Sequence, residues 1–415
     1  MAVIKAFRGY RPLAERAKAV ASRPYDVLNS QEARAEAAGN PDSFLHVVKP
    51  EIDLPEGHPP YDQAVYEKGR DNFRRMIEEG LFSQDERPSL YIYRQEMDGQ
   101  GQSGLLAAAA VQDYVDGVIK KHELTRPDKE ADRKNHVRVS RMNAEPVFFT
   151  YPAVAEIDAI VEEVEQGDPI YDFTAGDDIR HTLWVVDDAD TVAQLEQLFA
   201  DRVPATYVAD GHHRTAAAAL VGADLAAEND QHTGAEDYNF FMAVHFPDNQ
   251  LRIIDYNRVV KDLNGLSESE FMDALSRSFD IASSDTAYKP DQLHTFGMYL
   301  NGKWYGLTAH NGTYDDSDPI GVLDVTILSK QILEPILGIQ DLRTDKRIEF
   351  VGGIRGLGEL EKRVDSGEMA VAFALYPVSM QQLIDIADSG FIMPPKTTWF
   401  EPKLRSGLVV YTFPE

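Results

Sequence analysis

Ala205-Thr-Tyr-Val-Ala-Asp-Gly-His-His-Arg-Thr-Ala-Ala-Ala-Ala-Leu220 reads as a strand that turns sharply into a helix. Thr206 to Val208 has the β-branched and aromatic character of a buried strand. Asp210 and Gly211 make the turn, and the alanine-rich run from Arg214 to Leu220 starts the helix. A helix start presents backbone N–H groups without intrahelical partners, and the helix dipole favours an anion there. Gly211 has no Cβ, so the backbone can approach a ligand closely. His212, His213 and Arg214 add donors and positive charge at the same end. The stretch is suited to a phosphate or a carboxylate; the competing reading is a helix cap with solvated rings.

Working outward, Val147–Tyr151 and Leu183–Val186 read as strands, Ala153–Gln166 as a helix, and Leu195, Leu198 and Phe199 as the inner face of another. This alternation around the turn predicts an α/β fold with a mixed sheet. Further strands are expected at Phe44–Val48, at Ser89–Arg94 and Leu105–Val111 joined by a flexible loop over 98–104, and in a hairpin pairing Phe240–Phe246 with Leu251–Ile254. Asp62–Glu79 has the spacing of an amphipathic helix, with Gly80 as its stop. Asp128–His136 is a charge run that predicts an exposed helix. Ile348–Gly356 reads as a strand entering a glycine turn, a second place where backbone N–H groups could face an anion.

Composition narrows the function classes. The 415-residue chain carries 69 acidic and 41 basic residues, a net charge of -28, which opposes nucleic-acid binding over most of its surface. It has no cysteine, which excludes disulfides, thiol catalysis and cysteine-ligated metals. The longest apolar run, Leu105–Val111, is far below the ~20 residues of a membrane span. With no apolar leader at Met1–Phe7, a cytoplasmic location and no membrane partner are expected.

Two other stretches carry chemistry. Lys121-His-Glu-Leu-Thr-Arg-Pro127 concentrates acid–base groups, and Glu123 is the candidate general base; the alternative is a solvated helix C-terminus, with Tyr114, Val118 and His122 on one helical face. Near the C-terminal end, Lys396, Thr397, Thr398 and Lys403 make a basic, proline-stiffened cluster in an acidic protein, expected to pack back on the body.

These pieces occur in order with Phe44-Leu-His-Val47, Pro50-Glu-Ile-Asp-Leu-Pro55, Tyr256-Asn-Arg-Val-Val260, Phe350-Val-Gly-Gly-Ile-Arg-Gly356 and Met393-Pro-Pro-Lys-Thr-Thr-Trp-Phe-Glu-Pro-Lys403. Together they resemble the bacterial family called domain of unknown function 1015, over nearly the whole chain. The Asp-Gly-His-His-Arg piece resembles the phosphate-binding motif of the ParB/sulfiredoxin superfamily, which includes free-serine kinases. The family's expected Arg or Lys at position 124 is Leu here. The resemblance implies a ParB/sulfiredoxin-like lobe over residues 1–250, with an insertion near 100–145 carrying Glu123. It also implies a smaller α+β lobe over 251–415 whose tail returns to the cleft.

By the same resemblance, Asp210, Gly211 and Arg214 bind phosphate; Lys396 and Thr397 of the basic C-terminal cluster are added to them for their charge and polarity. His212 and His213 of the motif are catalytic candidates together with Glu123, which is chosen for its chemistry and its place in the His-Glu-x-Thr-Arg piece rather than from the superfamily motif, and no resident metal site is expected. The implied activity is phosphoryl transfer on a small phosphorylated metabolite, most concretely serine or O-phosphoserine, as a kinase or a phosphatase. Mg²⁺ and an adenine nucleotide are the expected cofactors. The alternative is a non-catalytic nucleotide- or metabolite-binding regulator. Sulfiredoxin chemistry requires the cysteine that this chain lacks, and the DNA-binding branch conflicts with its charge.

Overall fold

The computed structural model describes residues 1–414. The chain divides into two compact units, one formed by residues 1–251 with 402–415 and the other by 252–401. The C-terminal stretch from Pro402 therefore belongs with the first unit.

Among the described residues, the first unit is built on a nine-stranded mixed sheet. Its strands are β1 (Ile4–Lys5), β2 (Leu90–Met97), β3 (Gln100–Ala110), β4 (Ile119–Lys120), β5 (Val147–Tyr151), β6 (Tyr171–Thr174), β7 (Arg180–Val186), β8 (Thr206–Asp210) and β9 (Phe240–Pro247). The order is β4-β8-β5-β9-β3-β2-β7-β6, with β1 against β3. Two pairs are parallel, β8 with β4 and β9 with β5, and the others are antiparallel. The α/β, mixed-sheet expectation therefore holds. The strands buried on both faces read as near-continuous apolar runs, as in Val147–Tyr151 and Phe241–Phe246.

The helices that bear on the site are α1 (Gln63–Glu78), α2 (Pro127–Ser140), α3 (Ala155–Val164), α4 (Ala189–Arg202) and α5 (His212–Glu228). α1 starts where expected: Asp62 caps it by accepting from the Ala64 N–H at 2.9 Å, and Gly80 ends it at φ +75°. α5 is buried almost all round, and its alanines allow that close packing.

Several local expectations need correction. Phe44–Val48 is helical over Leu45–Val48, since a short apolar run does not distinguish strand from helix by periodicity. The β2–β3 hairpin turns tightly at Asp98-Gly99, both at positive φ, so the strand takes up most of the stretch expected to be loop. Leu251–Ile254 forms no hairpin strand; β9 lies between β3 and β5. In α2 the inner face is buried although it is charged. Arg133 pairs with Asp132 at 2.8 Å and stacks over the Tyr25 ring at 3.9 Å, and His136 bonds to the Val47 carbonyl at 3.1 Å. A charge run reads as solvated only while its partners are unknown.

The second unit holds a six-stranded antiparallel sheet among its described residues. Its strands are β10 (Tyr256–Val260), β11 (Phe279–Ser284), β12 (Thr295–Leu300), β13 (Lys303–Ala309), β14 (Ile348–Gly352) and β15 (Val371–Leu375), in the order β11-β13-β12-β15-β10-β14. β12 and β13 turn at Asn301-Gly302 as the dipeptide predicts. The glycines at the end of β14 have a packing reason. A Cβ on Gly352 would meet the Trp399 ring at 3.0 Å, and one on Gly353 would collide with the Asp255 carboxylate.

Asp324 in this unit is 3% exposed. Its Oδ1 accepts from the His294 backbone N–H at 2.9 Å, while Oδ2 has no hydrogen-bond partner among the described residues. Burial pushes the carboxyl up to about 7 against the opposing pull of that N–H. The unfolded chain gives up this proton near 3.8 and the folded chain keeps it to about 7. Stability is therefore lost as pH rises between those values, and the full penalty applies above 7. Asp324→Asn keeps the acceptor, so it should stabilise the protein by roughly 2–4 kcal/mol at pH 8 and by almost nothing at pH 4. Urea unfolding at the two pH values checks this; an equal shift at both contradicts it.

Candidate functional site

Parallel pairing of β4 with β8 creates the site. Thr206 aligns with Ile119 and Tyr207 with Lys120, so the two strands end side by side. The loop after β4, residues 121–126, therefore lies beside the turn after β8, Asp210 to His213. Ligands in α/β sheets commonly bind outside such carboxyl ends. The β8–β5 register shifts between Val208 and Asp210, a bulge of the kind that re-aims side chains at a strand end.

Gly211 is the N-cap of α5 at φ +99°, a conformation that costs glycine little and an L-residue much. A Cβ there would also press on the Arg214 guanidinium at 3.2 Å. No side chain caps α5, and the first helical bond is from the Thr215 N–H to the Gly211 carbonyl at 2.9 Å. The backbone N–H groups of His212, His213 and Arg214 precede that bond, at the positive end of a 17-residue helix.

The side chains assemble around this end. His212 is 7% exposed; its Nδ1 lies 4.0 Å from Glu123 Oε2, and its buried Nε2 has no hydrogen-bond partner among the described residues. The His122 ring meets it edge-to-face at 4.6 Å. Burial drives the His212 imidazole well below its usual range, reinforced by the neighbouring His122, and drives His122 down to about 4. Both rings are therefore neutral at pH 7. Glu123 has a side chain 38% exposed, so it faces both His212 and solvent. His213 Nε2 accepts from the Arg126 N–H at 3.0 Å, which ties the two loops together. Glu123 and His122 thus sit on a loop, not on the expected helix, because the preceding helix ends at Val115 and Gly117 turns the chain at φ +73°.

Arg214 is directed inward and is 9% exposed. It donates to the Pro146 carbonyl and to Asp210 Oδ2, the latter at 3.2 Å. Lys403 reaches the other oxygen, with Nζ 3.6 Å from Asp210 Oδ1. Burial pushes the Asp210 carboxyl up, but the charges of Lys403 and Arg214 outweigh it and hold the group well below the usual carboxylate range. Behind Arg214 is a cavity of about 20 Å³ whose polar lining includes Arg133, His136, Asn143 and Glu145.

The structure thus brings Glu123, Asp210, Gly211, His212, His213 and Arg214 together. Lys396 and Thr397 belong to the second unit. There Lys396 lies over the Tyr256 ring at 5.8 Å, its carbonyl accepts from Arg258 at 2.9 Å, and the Thr397 hydroxyl donates to the Pro394 carbonyl at 2.6 Å. Lys403 was legible only as one member of a basic cluster; nothing in the sequence pairs it with Asp210.

A family profile matches residues 4–326. The chain belongs to the family described as Protein of unknown function (DUF1015). No curated protein matches this DUF1015 chain. Among solved structures it is similar to a mutant free serine kinase in complex with AMP, at 11% identity and TM-score 0.39, covering 75% of this chain and 92% of that chain. A conserved hypothetical protein from Pyrococcus furiosus is similar at 14% identity and TM-score 0.34, covering 73% and 93%. SbnI with C-terminal truncation from Staphylococcus aureus is similar at 12% identity and TM-score 0.32, covering 71% and 82%. Among the described residues of this DUF1015 protein, no helix is long and apolar enough to cross a membrane, and no group of three or more His, Cys, Asp or Glu is placed to hold a metal.

Proposed function

We propose that this protein is a phosphoryl-transfer enzyme acting on a small phosphorylated metabolite, most concretely serine or O-phosphoserine. The observation that carries the reading is the Glu123 carboxylate 4.0 Å from His212 at the uncapped N-terminus of α5. That combination joins a base to an anion cradle, and phosphoryl transfer requires mainly positioning and charge around the phosphoryl oxygens.

In the transfer direction, the phosphate sits against the N–H groups of His212, His213 and Arg214, with Gly211 permitting close approach. Glu123 takes the proton of the serine hydroxyl as its oxygen attacks the terminal phosphorus of ATP, the bond to the bridging oxygen breaks, and ADP leaves. In the reverse direction, the phosphoryl group leaves O-phosphoserine for ADP or water, and Glu123 returns the proton to the serine oxygen. His212, neutral and buried, acts as a fixed hydrogen-bonding group that can offer a proton without carrying a charge. His213 holds the two loops in register. Arg214 acts through Asp210 and through its charge. Mg²⁺ takes one or two carboxylates together with phosphate oxygens and water. Bound through the nucleotide's own phosphate oxygens, it would neutralise their charge, while Asp210 stays with Arg214 and Lys403 and Glu123 takes the proton.

The test is to incubate the protein with O-phosphoserine, with and without ADP and Mg²⁺. ATP formation identifies the kinase run in reverse, and phosphate release without ADP identifies a phosphatase. Neither product under any condition overturns the proposal.

A further inference from the structure

We infer that the C-terminal segment 402–406 is a working part of the anion site, with Lys403 as a ligand-binding cation and Arg405 as the residue that positions it. The inference rests on reading the β8–α5 turn as an anion site.

The segment is fixed from both sides. On one side, β2 and β7 pair Gln95 with His181 and present both side chains to the tail. Gln95 donates to the Lys403 carbonyl at 2.9 Å, and the Arg405 N–H donates to Tyr93 Oη at 3.3 Å. The Arg405 guanidinium donates to His181 Nε2 at 3.2 Å and to Asp177. Because Nε2 accepts, the neutral ring carries its proton on Nδ1 and donates it to Tyr93 Oη at 2.7 Å. Burial, with the charge of Arg405, keeps His181 in that neutral form. On the other side, Ser22 and Ser406 exchange backbone bonds at 3.1 and 2.9 Å, and the Ser406 hydroxyl donates to Glu145 at 3.3 Å. Gly407 passes at φ +89° where a Cβ would strike Phe44 at 2.6 Å.

A clamp this complete is far more than a lysine needs to neutralise one half-buried carboxylate. Asp210 already has Arg214 at 3.2 Å, so Lys403 is a second cation on the same acid. Asp210 is also the last residue of β8, immediately before the turn. In a chain of net charge -28, the segment delivers positive charge to the strand end that leads into the uncapped, positive start of α5. Asp210 holds Lys403 in place, and an arriving phosphate competes with Asp210 for its ammonium group.

The inference makes Lys403 and Asp210 act in opposite directions on anion affinity. The probe is inorganic phosphate, titrated calorimetrically at low ionic strength into the full chain and its variants. Lys403→Met should weaken binding about tenfold or more, and Lys403→Arg should retain most of it. Asp210→Asn should strengthen binding, and the Asp210→Asn/Lys403→Met double variant should fall back below wild type. That double variant leaves no unpaired acid, so it also controls for misfolding. Arg405→Gln should weaken binding in the wild-type background but add little to Lys403→Met, a coupling that a purely structural arginine would not produce. If Lys403→Met binds phosphate like wild type while His212→Ala does not, the inference is wrong and the site stands. If wild type binds no phosphate, both fall.

Discussion

Glu123→Gln should lower turnover of O-phosphoserine by about 10²–10⁴-fold while changing ligand affinity by less than about threefold, the effect of removing a general base from a site whose cradle is intact. The substitution is nearly isosteric and the side chain is partly exposed, so no packing is lost. The carboxylate is acceptor-only when ionised, and the amide cannot take the hydroxyl proton. Turnover equal to wild type would remove Glu123 from the chemistry. An equal loss of affinity and turnover would make it a binding residue instead.

The protein should also unfold in acid well above the range in which ordinary carboxylates titrate. Burial holds six histidines below the usual imidazole range: His122 and His136 at about 4, His181 and His245 at about 3, His212 well below normal, and His213 lowered as well. An unfolded chain protonates these rings near 6.5 and the folded chain does not. The unfolded state therefore binds more protons, and stability is lost as pH falls from about 6.5 toward 4. Each ring contributes up to about 1.4 kcal/mol per pH unit. The raised carboxyls of Asp113, Glu145 and Asp324 work in the opposite direction, so the net slope is smaller than the histidine sum.

His245 isolates the effect. It is 1% exposed, packs against the Phe149 and Phe199 rings at 5.4 Å each, and neither ring nitrogen has a hydrogen-bond partner among the described residues. His245→Leu removes a polar group that gains nothing from its surroundings. Its advantage over wild type should grow by about 2 kcal/mol between pH 7.5 and pH 5. Urea unfolding at both pH values decides it; an unchanged difference would mean that this ring does not titrate on unfolding.

What could be read in advance was local. The turn at Asp210-Gly211, the start and stop of α1 and the Asn301-Gly302 hairpin depend on a few adjacent residues, and each has a backbone requirement that only certain side chains meet. The site is different. Glu123 meets His212 only because β4 runs parallel to β8, a pairing between segments that neither turn chemistry nor periodicity encodes. Its position on a loop also hid behind the apparent helical spacing of Tyr114, Val118 and His122, which Gly117 interrupts. Lys403 is further removed still, because its role follows from a clamp made by Tyr93, Gln95, His181 and Arg405. The buried charges of α2 were missed for a related reason: Arg133 needs Asp132, Glu145 and the Tyr25 ring, and two of those partners lie outside the helix.

The claim that a phosphate is handled at the start of α5 is tested most directly by serine release from O-phosphoserine, with and without ADP and Mg²⁺, measured for wild type and for His212→Ala and His212→Asn, with folding checked by circular dichroism. The account predicts release by wild type and its loss in both folded variants. Release that persists undiminished in either folded variant would contradict it.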